Sequence, residues 1–198
     1  EAMREMLCDA GYEIVPFDEW ADVYIINTCT VTNVADRKSR QMLHRARKQN
    51  PDAIVVAAGC YAQVQEGRPA DSCVDIIIGN NRKKDLPRIL REYEAQNAAE
   101  VVREEGGRAD RNGAVFAPPV VKELIDIGQT KEYEDLRIDK SEERARGYIK
   151  VQDGCNQFCS YCIIPYARGR VRSREQGDVV REAEALVKSG CREVVLTG

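Results

Sequence analysis

Three short apolar runs constrain the fold of this chain more than any other feature. VYIIN (Val23–Asn27), AIVVAA (Ala53–Ala58) and DIII (Asp75–Ile78) are too short for buried helices, and the first and last are dominated by β-branched residues. Between and around them lie helical patterns: Ala2–Ala10 ended by Gly11, a long basic segment Val31–Gln49 stopped before Pro51, a helical turn from Tyr61, and a charged helix from about Lys83 to Glu100. Strands that alternate with helices in this way predict a parallel sheet with helices on its faces, because a parallel connection needs a long crossover. The expected fold class is α/β, with a Rossmann-like parallel-sheet domain at the N-terminus. No G-x-G-x-x-G and no G-x4-G-K-[ST] loop accompanies it, so nucleotide binding by those routes is not supported.

From Gly106 the pattern weakens into GGRADRNG and then Pro118–Pro119, a composition suited to a loop or linker. Order is expected to resume at GYIKVQ (Gly147–Gln152). A helix follows from Asp178, with Val179, Val180, Ala183, Leu186 and Val187 on one apolar face, Asp178 as N-cap and Gly190 as stop. EVVLT (Glu193–Thr197) completes a βαβ unit. The predicted organisation is a domain over 1–104, a linker over 105–146 and a second unit over 147–198. Glu1 is not a start residue, and the sequence breaks off at LTG after a strand-like run, so a piece of a longer protein is expected.

Cys155, Cys159 and Cys162 stand in the loop after the first strand of that βαβ unit, at the carboxyl edge where α/β sheets bind ligands. Eight cysteines in 198 residues are too sparse for a disulfide scaffold. Structural zinc sites take four ligands in paired C-x2-C units, and a bacterial ferredoxin run reads C-x2-C-x2-C-x3-C-P. The spacing C-x3-C-x2-C matches neither. Three thiolates can hold three irons of a [4Fe-4S] cube and leave the fourth open to a ligand, an arrangement that favours catalysis. A zinc site with a distant fourth ligand is the alternative.

Cys29 in NTCTVT and Cys60 in AAGCYAQ each follow a predicted strand, and parallel neighbouring strands would bring both to one sheet edge. Other residues carry plainer expectations. Cys73 and Cys191 read as packing residues, Cys8 as core, Trp20 as a hydrophobic anchor, and the single histidine, His44, as solvated. Net charge is -3, yet Val31–Gln49 carries six basic residues against Asp36, and Gly147–Arg174 carries five against Asp153. Such basic islands fit either a solvated face or contact with a phosphate backbone.

The motif C-x3-C-x-aromatic-C, with Tyr161 as the aromatic, resembles the radical S-adenosylmethionine (SAM) superfamily. NTC, GCYAQ and GYIKVQDGCNQFCSYCIIPYARGRVRSR together resemble its methylthiotransferase family over the whole chain, and NTCTVTNVADRKSRQMLHRARKQNP looks closest to the branch acting on N6-threonylcarbamoyladenosine at position 37 of tRNA. The resemblance implies that residues 147–198 open a radical SAM partial (β/α) barrel. It also implies a SAM-binding [4Fe-4S] cluster on Cys155, Cys159 and Cys162, whose reduction cleaves SAM to a 5'-deoxyadenosyl radical. A second, auxiliary [4Fe-4S] cluster would be held by Cys29, Cys60 and a third cysteine placed before Glu1. Tyr161, Arg168 and Arg174 are the other implied cofactor-site residues. Implied partners are tRNA and an electron donor such as flavodoxin or ferredoxin, with no membrane and no DNA, in the cytoplasm. No side-chain acid or base is demanded. The piece is expected to be inactive alone. The isopentenyladenosine and ribosomal-protein branches, a non-catalytic cysteine-metal module that binds RNA, and a simple iron-sulfur electron carrier are the alternatives.

Overall fold

The computed structural model describes residues 2–64, 71–105, 120–136 and 145–198. Helix α1 (Ala2–Asp9) leads to strand β1 (Val23–Thr28), helix α2 (Asn33–Gln49), strand β2 (Ile54–Gly59) and the single-turn helix α3 (Cys60–Gln63). Strand β3 (Ile76–Ile78), a 3-10 turn at Lys83–Asp85, helix α4 (Leu86–Glu105) and strand β4 (Val121–Glu123) follow. These four strands form one parallel sheet in the order β1-β2-β3-β4.

The apolar runs are continuous rather than alternating because this sheet is covered on both faces. Val55 and Ala57 pack with Leu43 and Ala46 of α2, whereas Val56 and Ala58 pack with Leu7 of α1 and with Leu86, Ile89, Leu90 and Tyr93 of α4. Leu43 and Leu90 are fully buried, and each contributes about 1.5–3 kcal/mol relative to an exposed position. Thr32 caps α2, its hydroxyl accepting from the Ala35 amide at 3.1 Å. Asn50 ends the helix just before Pro51, its amide nitrogen Nδ2 donating to Ala21 O at 2.9 Å.

Strand β4 was not anticipated. Val121–Glu123 lies in the stretch read as linker, yet it pairs with β3 and supplies the outer strand. Three residues are too few to show a periodicity. The GGRADRNG and diproline segment lies outside the described residues.

The second unit comprises β5 (Arg146–Lys150), β6 (Gln152–Asp153), α5 (Ile164–Ala167), β7 (Arg172–Ser173), α6 (Gln176–Lys188) and β8 (Glu193–Thr197). β5 and β8 are parallel, with Ile149, Leu186 and Cys191 packed between sheet and helix. β6 and β7 form an antiparallel pair, Gln152↔Ser173 and Asp153↔Arg172, that closes the base of the cysteine loop. Pairs of two residues leave no pattern in a sequence, so this clasp was missed.

Several expectations need correction. Glu175, not Asp178, occupies the N-cap of α6; Asp178 sits inside the first turn and pairs with Arg181. Only part of the expected apolar face of α6 is covered, since Val180 is 50% and Val187 60% exposed. Gly190 does end the helix, at φ +96°, with the Cys191 amide donating to Leu186 O. Trp20 is 65% exposed and belongs to neither core cluster of the sheet among the described residues; Phe17 and Tyr24 make the edge-to-face contact there, 5.5 Å between centroids. Cys8 is exposed; the inward side of that helix is carried by the buried Leu7, with Met3 packed against the same cluster. Cys73 and Cys191 are buried, as packing residues should be.

Candidate functional site

The parallel register sets the first pair of cysteines. Thr28 of β1 lies opposite Gly59 of β2, so Cys29 and Cys60, the next residues of each strand's chain, leave the sheet side by side at its carboxyl edge. Gly59 makes this turn possible. Its φ is +99°, and a Cβ there would stand 2.7 Å from Thr28 O and 2.9 Å from Asn27 Oδ1. Ser39 of α2 fixes the other thiol's backbone: its hydroxyl accepts from the Cys29 amide at 3.0 Å and lies 3.1 Å from Cys29 O.

The second set is held by the loop between β6 and β7. The Cys155 amide donates to Gly169 O at 3.0 Å, and the Cys162 amide to Cys159 O at 2.9 Å. Asp153 anchors the entry: its carboxylate accepts from the Gly154 amide at 2.9 Å and gathers Lys150 at 2.7 Å, Arg172 at 3.7 Å and Arg168 at 4.0 Å. At the loop's crest Phe158 adopts φ +48°, held between Tyr166, 5.9 Å away edge-to-face, and the Arg170 guanidinium, 4.2 Å above its ring. Cys159 is exposed, and Cys155 and Cys162 are half-buried. Tyr161 is 91% exposed and free of the loop's packing.

Helices α3 and α5 bring Cys60 against the end of the loop that carries the second set. Asn80, just beyond β3, donates to Ala167 O at 2.6 Å and lies 3.5 Å from Cys60 Sγ. Arg168, at the end of α5, places Nε 3.4 Å from the same sulfur. Burial alone would lower the Arg168 pKa, but the bond to Cys60 and the charges of Cys60, Asp153 and Cys29 outweigh it and raise it further above the ordinary arginine range. Lys83 enters the same junction; burial lowers its pKa, opposed by Glu134 and Cys60.

Of the residues singled out in the sequence, Cys29, Cys60 and Arg168 converge here. Arg174 does not: its guanidinium is 3% exposed, paired with the buried Glu182 of α6 and with Asp135 at 2.7 Å. It holds the frame under the loop. Asn80, Lys83 and Asp153 escaped the sequence reading. Asn80 and Lys83 lie in GNNRKK, which offers no chemical motif, and only the tertiary contact with α5 reveals Asn80.

Half of the basic residues of α2 are neutralised. Arg40 pairs with Asp36 at 3.0 Å, Arg45 with Asp18 at 2.6 Å and Arg47 with Asp75 at 2.5 Å. Among the described residues no ion pair engages Arg37, Lys38 or Lys48. His44 is exposed, as expected, but not free: Nε2 lies 3.2 Å from Asp71.

Two tests bear on which metal group suits the thiols. His44, Asp71 and Cys73 alone among the described residues bring three donor atoms within 4.8 Å of one another. The thiol of that trio is held protonated, its pKa pushed up to about 12 by burial and by Asp71. Among the described residues the loop thiols do not form such a close trio, and an all-sulfur donor set is the kind that an iron-sulfur cluster takes. An open groove lined by Gly128, Lys131 and Arg170 lies beside the loop, with no cysteine in its wall.

Residues 1–79 match the uncharacterized protein family UPF0004, and residues 149–198 match the radical SAM superfamily. All of the chain is similar to the threonylcarbamoyladenosine tRNA methylthiotransferase MtaB of Bacillus subtilis, 40% identical over 199 residues that make up 40% of that protein. The MtaB of Aquifex aeolicus is 41% identical, with 43% of its length covered. The tRNA-2-methylthio-N(6)-dimethylallyladenosine synthase of Moorella thermoacetica is 32% identical over 208 residues, 41% of its length. The chain thus spans about two fifths of these relatives, and the resemblance to radical SAM methylthiotransferases read from its cysteine motifs is borne out.

Proposed function

We propose that this chain forms the N-terminal and cluster-binding portions of a tRNA methylthiotransferase that modifies N6-threonylcarbamoyladenosine at C2 of its adenine. The observation that carries this reading is the junction at Cys60, where Arg168 and Asn80 tie the sheet-edge cysteines to the cysteine loop. Methylthiolation needs a sulfur source and a radical source to reach one base, and a single protein junction supplies that proximity. Support for the branch comes from identity: 40–41% to two threonylcarbamoyladenosine enzymes against 32–33% to the dimethylallyladenosine synthases of Moorella and Desulforamulus, with the Thermotoga maritima threonylcarbamoyladenosine enzyme also at 33%.

In this reading Cys155, Cys159 and Cys162 hold a [4Fe-4S] cluster, and Cys29 and Cys60 supply two ligands of an auxiliary one. Such clusters with SAM supply reductive radical chemistry and a sulfur to be transferred. The chain's own contribution is positional. Asp153 and the β6–β7 clasp fix the entry and exit of the loop, so three thiols are presented from a closed frame. The Phe158, Tyr166 and Arg170 stack props up the crest that carries Cys159. Tyr161 projects into solvent, and in this reading it covers a bound cofactor. Arg37, Lys38 and Lys48 remain for contact with tRNA phosphates, and the electron donor approaches the exposed loop.

Two experiments test this. Full-length protein reconstituted with iron and sulfide should turn brown and show a [4Fe-4S] spectrum that responds to SAM; a colourless zinc protein would refute it. In cells lacking the full-length gene, tRNA should lose 2-methylthio-N6-threonylcarbamoyladenosine by mass spectrometry. Persistence of that nucleoside would refute the branch.

A further inference from the structure

We infer that Arg168 is a positioning residue for the auxiliary site: it binds the Cys60 sulfur from the cysteine-loop side and tunes the electronics of the group that Cys60 carries. The inference rests on the proposed role of Cys29 and Cys60 as cluster ligands. The Cys60 sulfur faces donors from both units, Arg168 Nε at 3.4 Å from α5 and Asn80 Nδ2 at 3.5 Å from the end of β3. Neither donor is loosely placed. Asn80 Nδ2 also donates to Ala167 O at 2.6 Å, and Arg172, itself buried, donates to Arg168 O at 2.8 Å. Asp153, whose carboxylate lies 4.0 Å from the Arg168 guanidinium, links that arginine to the entry of the cysteine loop.

An N–H group aimed at a ligating sulfur, and a cation beside it, draw electron density from that sulfur and favour the reduced state of an attached cluster. A merely structural Arg168 would join the two units but leave the potential unmoved. Arg168 thus couples the placement of the auxiliary site to the loop that starts the chemistry.

The test uses the full-length protein with Cys155, Cys159 and Cys162 changed to Ala, so that a cluster at Cys29 and Cys60 is the only one to observe. Potentiometric titration followed by electron paramagnetic resonance compares this background with Arg168→Gln, Arg168→Lys and Asn80→Ala. The expected result is retained iron and sulfide content, a negative shift of the midpoint potential in Arg168→Gln, and a smaller shift in Arg168→Lys, which keeps the charge. Cluster loss in Arg168→Gln with retention in Arg168→Lys also supports the inference. An unmoved potential in a loaded Arg168→Gln protein overturns it, as does equal cluster loss in both variants with a lowered melting temperature. A background that takes up no cluster overturns the auxiliary-ligand reading and this inference together, which separates that failure from an unmoved potential.

Discussion

Gly59 and Gly190 together test how tightly the sheet edge is built. Their φ values are +99° and +96°, and ψ −150° puts Gly59 in a region essentially reserved for glycine, so Ala there meets a backbone penalty at least as large as the roughly 1–2 kcal/mol expected at Gly190. They differ in space. A Cβ at Gly190 meets nothing within 4 Å, while one at Gly59 stands 2.7 Å from the Thr28 carbonyl oxygen and 2.9 Å from Asn27 Oδ1. Ordinary contact begins near 3.4 Å, so the β1 backbone must retreat by several tenths of an ångström. It can do so only by parting the Thr28↔Gly59 pair, and overpacking of this kind adds about 1–3 kcal/mol. Gly59→Ala should therefore cost about 2–5 kcal/mol and Gly190→Ala only about 1–2. Denaturant unfolding measures both. Because the displaced strand ends carry Cys29 and Cys60, iron and sulfide content at the proposed auxiliary site should fall in Gly59→Ala and stay normal in Gly190→Ala. Equal stability losses with equal cluster content would refute the argument.

The remaining predictions concern the frame and the thiols. Glu182→Ala should destabilise by about 3–5 kcal/mol because it leaves the buried Arg174 short of its closest partner, whereas Arg174→Met with Glu182→Leu should cost far less; a double-mutant cycle by chemical denaturation decides. The Cys73 thiol titrates near 12 in the folded protein rather than near 9, so its contribution is fully present below pH 9. That contribution is lost as pH rises toward 12. The melting temperature should fall over this window, and less so in Cys73→Val. Any one of Cys155→Ala, Cys159→Ala or Cys162→Ala should abolish the spectral response to SAM, measured by absorption of the reconstituted protein.

Much of the sheet was legible because its strands are buried on both faces. VYIIN, AIVVAA and DIII carry a clear apolar signal, and the parallel direction of the strands followed from their alternation with helices. The cysteine motif was legible for a different reason: thiol spacing encodes ligation chemistry directly. What escaped notice was short or tertiary. β4, β6 and β7 have three or fewer residues and no period. Trp20 and Cys8 were assigned by residue type, while exposure depends on which side of an element faces the core. Arg168 and Arg174 looked alike in sequence, two arginines in one basic run. Packing divides them, one against Cys60 and the other against Glu182.

The most direct test of the account is Mössbauer spectroscopy of the full-length protein with Cys29 and Cys60 changed to Ala and loaded with iron-57. One iron of the remaining cluster should differ from the other three and change its isomer shift when SAM is added. Four equivalent irons indifferent to SAM, or no iron bound by Cys155, Cys159 and Cys162, would contradict the account.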